Sequence, residues 1–215
     1  MEYPTIESRG HLYAPLYKHI HRGKRDIIYR GTQILKFPSD LLMYHEAIYE
    51  SDPEIVVEIG TKFGGSALYF QDQLDMKAKD KGDGAVPGRV ITIDILDQVA
   101  NKDPRIEYIV GSSTDEEVIS RIRKSTQGKR TMIVVDGNHG RKHVKWELHH
   151  YHNFVPTGQY IVVEDCYIEK DGKLKRYGPC EAKDWFLESK RGFEQTNMCE
   201  RYLVGVTMGG WLRRI

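Results

Sequence analysis

The chain has 215 residues, 32 Lys and Arg against 31 Asp and Glu, a formal net charge of +1 and 40% hydrophobic residues. That length suits one α/β domain with a sizeable core, and the charge balance lacks the basic excess of a nucleic-acid binder. No apolar run approaches a membrane span, the opening stretch MEYPTIESRGHLYAPLYKHIHRGKRD has no apolar core of the signal-peptide kind, and Cys166, Cys180 and Cys199 are odd in number without metal-finger spacing, which reads as free thiols of a cytoplasmic protein.

Residues 1–35 are polar with scattered tyrosines (Tyr3, Tyr13, Tyr17, Tyr29), which predicts an arm or short helices that act as a lid or an oligomerisation segment. The main domain is expected over 36–215. Phe37-Pro38-Ser39-Asp40 then opens a helix, with Pro38 at its start, Ser39 or Asp40 as cap, and Leu41, Leu42, Tyr44, His45, Ile48 and Tyr49 at helical spacing. Residues 55–59 form a short apolar run of the kind buried on both faces of a parallel sheet. Gly60-Thr61-Lys62-Phe63-Gly64-Gly65-Ser66 follows and starts the next helix. A strand feeding a glycine-rich turn and a helix is the ligand-binding end of an open α/β sheet. A dinucleotide fingerprint is absent, because Lys62 stands where its second glycine should be. Glu58 near the strand end would repel a diphosphate and suits a cationic or amino-acid-bearing ligand. The other reading of the glycines is a tight strand-helix connection and nothing more.

Residues 77–88 read as a surface loop. A second buried strand over 89–94 closes on Asp94, placed to accept hydrogen bonds from ribose hydroxyls; taken singly, such an acid could also cap a loop. A third strand over 105–111 leads to Ser112 and Ser113, which either touch an adenine or ribose or only cap the helix that runs to about Ser125. A fourth strand spans 131–136 and is followed by Gly137-Asn138-His139-Gly140 and a helix over 141–154. A fifth strand over 159–163 ends in Glu164-Asp165. Residues 167–177 are charged and are expected to form a mobile loop over the substrate. Residues 202–207 read as a last strand, with Gly209-Gly210 as a turn before a buried Trp211 and Leu212.

Strands four and five should be neighbours, bringing Asp136, Glu164 and Asp165 to one edge. Three carboxylates there repel one another unless a positive charge lies between them. Carboxylate oxygens suit Mg²⁺, Mn²⁺ or Ca²⁺, and Mg²⁺ keeps waters that two substrate oxygens can replace. Separately, each acid could cap a helix or pair with a Lys or Arg. His139, three residues after Asp136, is placed to act as a general base. His143 reads as helix surface or as support behind the site, and His149, His150 and His152 as a helix face without a role.

Several stretches together, YRGTQILKFPSDLLMYHEAIYESDPEIVVEIGTKFGGSALYF, GRVITIDI, VDGNHGRKHVKWELHHYHNFVPTGQYIVVEDCYI, GPCEAKDWF and ERYLVGVTMGGWLRR, resemble the so-called cephalosporin hydroxylase family, which includes rhamnosyl and macrolide-sugar O-methyltransferases. The resemblance runs from about residue 29 to the end. It implies a Rossmann-like class I S-adenosylmethionine-dependent methyltransferase fold, with a mostly parallel seven-stranded sheet flanked by helices. It also implies S-adenosylmethionine held across Glu58, Gly60, Thr61, Gly64, Gly65, Ser66, Asp94, Ser112, Ser113 and Asp136. Mg²⁺ would sit on Asp136, Glu164 and Asp165. His139 matches the histidine of the D-x-x-H motif that acts as base in the sugar methyltransferases, with Asp136 as its catalytic neighbour. The implied substrate is a small-molecule hydroxyl on a sugar or secondary metabolite, and the implied assembly a homodimer or higher oligomer. The chain departs from the family at Tyr29-Arg30-Gly31, where an aromatic-Gly pair is common, and shows no large appended N-terminal domain. Two other readings stay open. One is a different enzyme on the same scaffold, such as a hydroxylase, although an iron oxygenase wants two His and one carboxylate. The other is a non-catalytic binding protein.

Overall fold

A computed structural model describes residues 6–198, 202 and 204–215, with side chains from Tyr13 onward. Helix α1 (Ile6–Gly23) and a 3-10 turn (Lys24–Asp26) lead into a two-residue hairpin, β1 (Ile28–Tyr29) and β2 (Thr32–Gln33). Its turn residues, Arg30 and Gly31, both have positive φ, at 48° and 79°. The sheet-forming part then runs α2 (Pro38–Ser51), β3 (Ile55–Ile59), α3 (Gly65–Asp80), β4 (Arg89–Asp94), β5 (Glu107–Val110), α4 (Glu116–Thr126), β6 (Thr131–Val135), α5 (Arg141–Tyr151) and β7 (Tyr160–Val163). A second hairpin, β8 (Tyr167–Lys170) and β9 (Lys173–Arg176), precedes α6 (Gly178–Glu188), β10 (Phe193–Gln195) and β11 (Trp211–Arg214).

Among the described residues the main sheet has seven strands in the order β10-β11-β7-β6-β3-β4-β5. The pairings of β3 with β4, β3 with β6, β4 with β5 and β6 with β7 are parallel, whereas β11 is antiparallel to β7 and β10 to β11. All residues of β3, β6 and β7 are buried, as strands covered on both faces by helices must be. From β3 the chain steps outward through β4 and β5, then returns to β6 on the other side. The order reverses between β3 and β6, and the crevice beyond their carboxyl ends is where such sheets bind ligands.

Four local expectations need correction. Among the described residues of the expected last strand over 202–207 none lies in a strand: the strand is β11, and Val204 and Val206 are buried in a loop. The carboxylate of the fully buried Asp40 accepts hydrogen bonds from the backbone N–H of Phe37 (3.0 Å), Val206 (3.0 Å) and Thr207 (3.2 Å) and from the Thr207 hydroxyl (2.8 Å), so one side chain caps α2 and staples that loop. The charged segment 167–177 is a β-hairpin, turned by Asp171 and Gly172 at φ 56° and 71°, the positive pair that two-residue hairpin turns favour. Helix α3 extends to Asp80, into the expected loop over 77–88. The buried face of α2 carries Met43, Tyr44, Ala47 and Ile48, while Leu42 is 48% exposed.

The N-terminal helix is tied to the second hairpin. The Tyr17 hydroxyl donates to the Tyr167 carbonyl at 3.0 Å, and the Tyr17 ring packs on Phe37 with centroids 5.3 Å apart. Cys166 and Cys180 are buried and free, and Cys199 lies outside the described residues. Among the described residues no helix is long and apolar enough to cross a membrane.

Candidate active site

A cavity of about 500 Å³ covers the carboxyl ends of β3, β4 and β6. Its floor depends on glycine where two backbones meet. At Gly60, φ is +106° and a Cβ would lie 2.2 Å from the Asp136 carbonyl oxygen, so no other residue fits between the ends of β3 and β6. At Gly65 a Cβ would lie 2.3 Å from the Gln33 carbonyl oxygen, because the first hairpin presses on the start of α3.

On one side of this cavity Asp94 ends β4. Its carboxylate accepts the backbone N–H of Lys62 at 2.8 Å and of Leu96 at 3.1 Å, which ties the β3–α3 turn to the end of β4 and leaves an acid on the cavity wall. Beyond it, the Ser113 hydroxyl donates to Glu147 at 2.7 Å and lies 3.2 Å from His143. Glu147 is fully buried, and its second oxygen has no hydrogen-bond partner.

On the other side lies a charged cluster. Lys36, 1% exposed, donates to Glu164 at 2.7 Å and also to Asp136. Tyr44 donates to the other oxygen of Glu164. Burial opposes the Lys36 charge, yet Asp136 and then Glu164 hold its pKa above the usual lysine value. Burial likewise opposes ionisation of Asp136, but Lys36 and then His139 keep that carboxyl below its usual range. Glu164 goes the other way: burial, then the Asp136 charge, push it well up. His139 bridges the cluster, with Nε2 3.3 Å from Asp136 and Nδ1 3.4 Å from Asp165. Its hydrogen bond to Asp136 raises its pKa against the effect of burial. Asp165 has φ 53°, a left-handed conformation rare outside glycine, and its N–H donates to the Val206 carbonyl at 2.8 Å. Strained backbone of this kind concentrates at functional sites.

Of the residues expected to form the site, Gly60, Thr61, Gly65, Ser66, Asp94, Ser112, Ser113, Asp136, His139 and Asp165 line the cavity. Gly64 sits one step behind, as the left-handed cap of α3 at φ 86°. Glu58 lies beneath the floor, where it accepts a hydrogen bond from Thr92 at 2.7 Å; burial pushes its pKa up to about 7. Glu164 faces Lys36 and Tyr44 rather than the cavity, because a fully buried carboxylate needs a counter-charge and Lys36 supplies it. A divalent cation fits the remaining donors. One ligand atom each from Asp136, His139 and Asp165 lies within 4.8 Å of the others, and two carboxylates with an imidazole suit a hard or borderline dication.

Three residues of the site were not singled out by sequence reasoning. Lys36 gave a readable signal, a lone lysine inside the apolar run Ile34-Leu35-Lys36-Phe37. Tyr44 reads in the sequence as one of the apolar positions of its helix, and Glu147 carries no signal beyond its place four residues after His143.

A second cavity, of about 520 Å³, lies between α1 and the β8–β9 hairpin and shares His139 and Asp165 with the first. The charged cluster therefore stands between two spaces, either of which can hold a small molecule.

Residues 23–215 match the model of the family described as Rhamnosyl O-methyltransferase/CmcI. The rhamnosyl O-methyltransferase of Mycobacterium tuberculosis (strain ATCC 25618 / H37Rv) is 32% identical over 158 residues, which cover 70% of this chain and 61% of that protein. The Mycobacterium leprae (strain TN) protein of the same name is 32% identical over 185 residues, 82% of this chain and 77% of that protein. The chain thus spans about 61% of the length of the M. tuberculosis relative. Among solved structures, an apo form of CmcI superposes with a TM-score of 0.63 at 23% identity, covering 89% of this chain and 77% of that one, which shows a shared fold.

Proposed function

The chain belongs to the Rhamnosyl O-methyltransferase/CmcI family, and from that premise we propose that it is an S-adenosylmethionine- and divalent-metal-dependent O-methyltransferase acting on a hydroxyl of a sugar or hydroxylated secondary metabolite. The observation that carries the reading is the placement of Asp136, His139 and Asp165 on the wall shared by the two cavities. Cofactor occupies the first cavity and acceptor the second.

In this reading the Asp94 carboxylate accepts the ribose hydroxyls, and the Gly60–Ser66 turn passes close beneath the amino-acid end. Ser112 and Ser113 border the adenine. Asp136 and Asp165 hold the metal with His139 beside them. When bound, the cation lowers the pKa of an acceptor hydroxyl. His139 would take the hydroxyl proton, the cation being held by Asp136 and Asp165 and not by the ring. Bound S-adenosylmethionine would supply the methyl group to the acceptor oxygen and leave as S-adenosylhomocysteine. Lys36 keeps Glu164 and Asp136 in place, and the enzyme acts mainly by alignment and by stabilising the developing alkoxide.

The test is calorimetric titration of S-adenosylmethionine, with and without Mg²⁺, into the wild type and Asp94→Ala. Micromolar binding that is lost in the variant is the expected result. Absence of binding under both conditions would remove the cofactor assignment.

A further inference from the structure

The second cavity carries charges that the transfer reaction does not use. Its first wall presents Lys18 and Arg22 from α1 and Arg25 from the 3-10 turn that follows, both arginines being exposed, and its hairpin wall presents Glu169. Lys18 pairs with Glu169 at 3.4 Å, and Asp165 is met by His139 at 3.4 Å. Among the described residues Arg22 and Arg25 have no acidic partner, although both line the cavity. Lys24, between them in sequence, reaches the wall of the cofactor cavity. Burial, then Lys24, lower the pKa of His21 on the same wall; Asp165 opposes this and Arg25 adds to it. A helix C-terminus favours cations in general. That preference does not require two guanidiniums, three residues apart, to border a cavity that ends at His139.

Guanidinium groups bind phosphate and carboxylate in a bidentate fork, and an ammonium or an amide does so less well. The wall that carries them is fixed by the Tyr17 hydrogen bond to Tyr167. A space of about 520 Å³ accommodates a sugar with one substituent. Resting on the methyltransferase reading, we infer that the acceptor bears an oxyanion, which Arg22 and Arg25 hold while the hydroxyl to be methylated faces His139. The neutral part of the acceptor lies along Ile168 and Tyr177. A phosphate and a carboxylate present the same chemistry to these arginines, and the experiment separates them.

The protein is saturated with S-adenosylhomocysteine in metal-free buffer and titrated calorimetrically with α-D-glucose 1-phosphate, D-glucuronate and methyl α-D-glucopyranoside. At least one anionic sugar should bind about tenfold or more tightly than the neutral glycoside, as expected for one charge-assisted contact. Preference for the phosphate alone identifies a phosphorylated acceptor, preference for glucuronate alone an acid sugar, and equal preference for the two an oxyanion site that takes either. The Arg22→Ala/Arg25→Ala double variant should erase the difference while retaining S-adenosylhomocysteine affinity. Equal binding of all three sugars, no binding of any, or a preference that survives in the double variant would overturn the inference. Failure of S-adenosylhomocysteine itself to bind would remove the methyltransferase reading instead, and the same titrations on the bare protein would still decide the anion preference.

Discussion

Replacing Lys36 with Met keeps most of the aliphatic stem and removes the charge that holds two carboxylates together. The ammonium lies 2.7 Å from Glu164 and also bonds Asp136, and the lysine is 1% exposed. With an effective dielectric of about 20, a contact at 2.7 Å corresponds to roughly 6 kcal/mol of attraction. Desolvation of the groups opposes much of this, and breaking such a buried pair costs about 3–5 kcal/mol net. Burial and the Asp136 charge both disfavour a charged Glu164, so protonation of Glu164 once Lys36 is lost offsets part of the cost. The expected loss is therefore near the lower bound, about 3 kcal/mol. Urea unfolding at pH 7 in the presence of chelator measures it, with Glu164→Gln and the double variant completing a mutant cycle. Millimolar MnCl₂ should restore part of the loss, because a dication can replace the ammonium between the carboxylates. A loss below about 1 kcal/mol, or no coupling between Lys36 and Glu164, would refute the claim that this pair organises the site.

Gly60→Ala should cost about 3 kcal/mol or more, since the new Cβ meets the Asp136 carbonyl at 2.2 Å and φ is +106°; wild-type stability in urea would show that the ends of β3 and β6 are not so close. Glu58 has a folded pKa of about 7 against 4.5 for the ordinary group, burial being the main cause. Because the folded value is the higher, its contribution to stability is complete below about pH 4.5 and is lost as pH rises to about 7. Glu58→Gln should flatten that part of the stability curve, gaining on the wild type between pH 5 and pH 8, and a pH-independent difference between the two would count against the burial argument. His139→Ala should reduce methyl transfer by about 10²–10⁴-fold while leaving S-adenosylmethionine affinity within about threefold, and a proportionate loss of cofactor affinity would reassign the residue to cofactor binding.

The parts of the fold that the sequence revealed are those whose physics is local. The runs at 55–59, 89–94 and 131–135 are apolar because both sheet faces are covered, and they ended where turn residues appeared. The strand-end acids could be grouped because parallel neighbours put all their carboxyl ends on one side. Val204 to Thr207 misled for the opposite reason: burial there comes from packing under Asp40, 164 or more residues earlier in the chain, and not from a ladder. The β8–β9 hairpin was hidden by its charge, although Asp171-Gly172 is a hairpin turn pair. Three acids at one edge call for positive charge, and the sequence reading expects a metal held by all three. The chain itself supplies one unit of that charge, delivered from a segment before α2 that shares no strand with the acids. With Glu164 and one oxygen of Asp136 engaged by Lys36, the charge left for a dication is close to that of two carboxylates, shared with His139. A site balanced in this way can keep its shape before metal arrives, which is why the Lys36 cycle, rather than metal removal, tests how it is built.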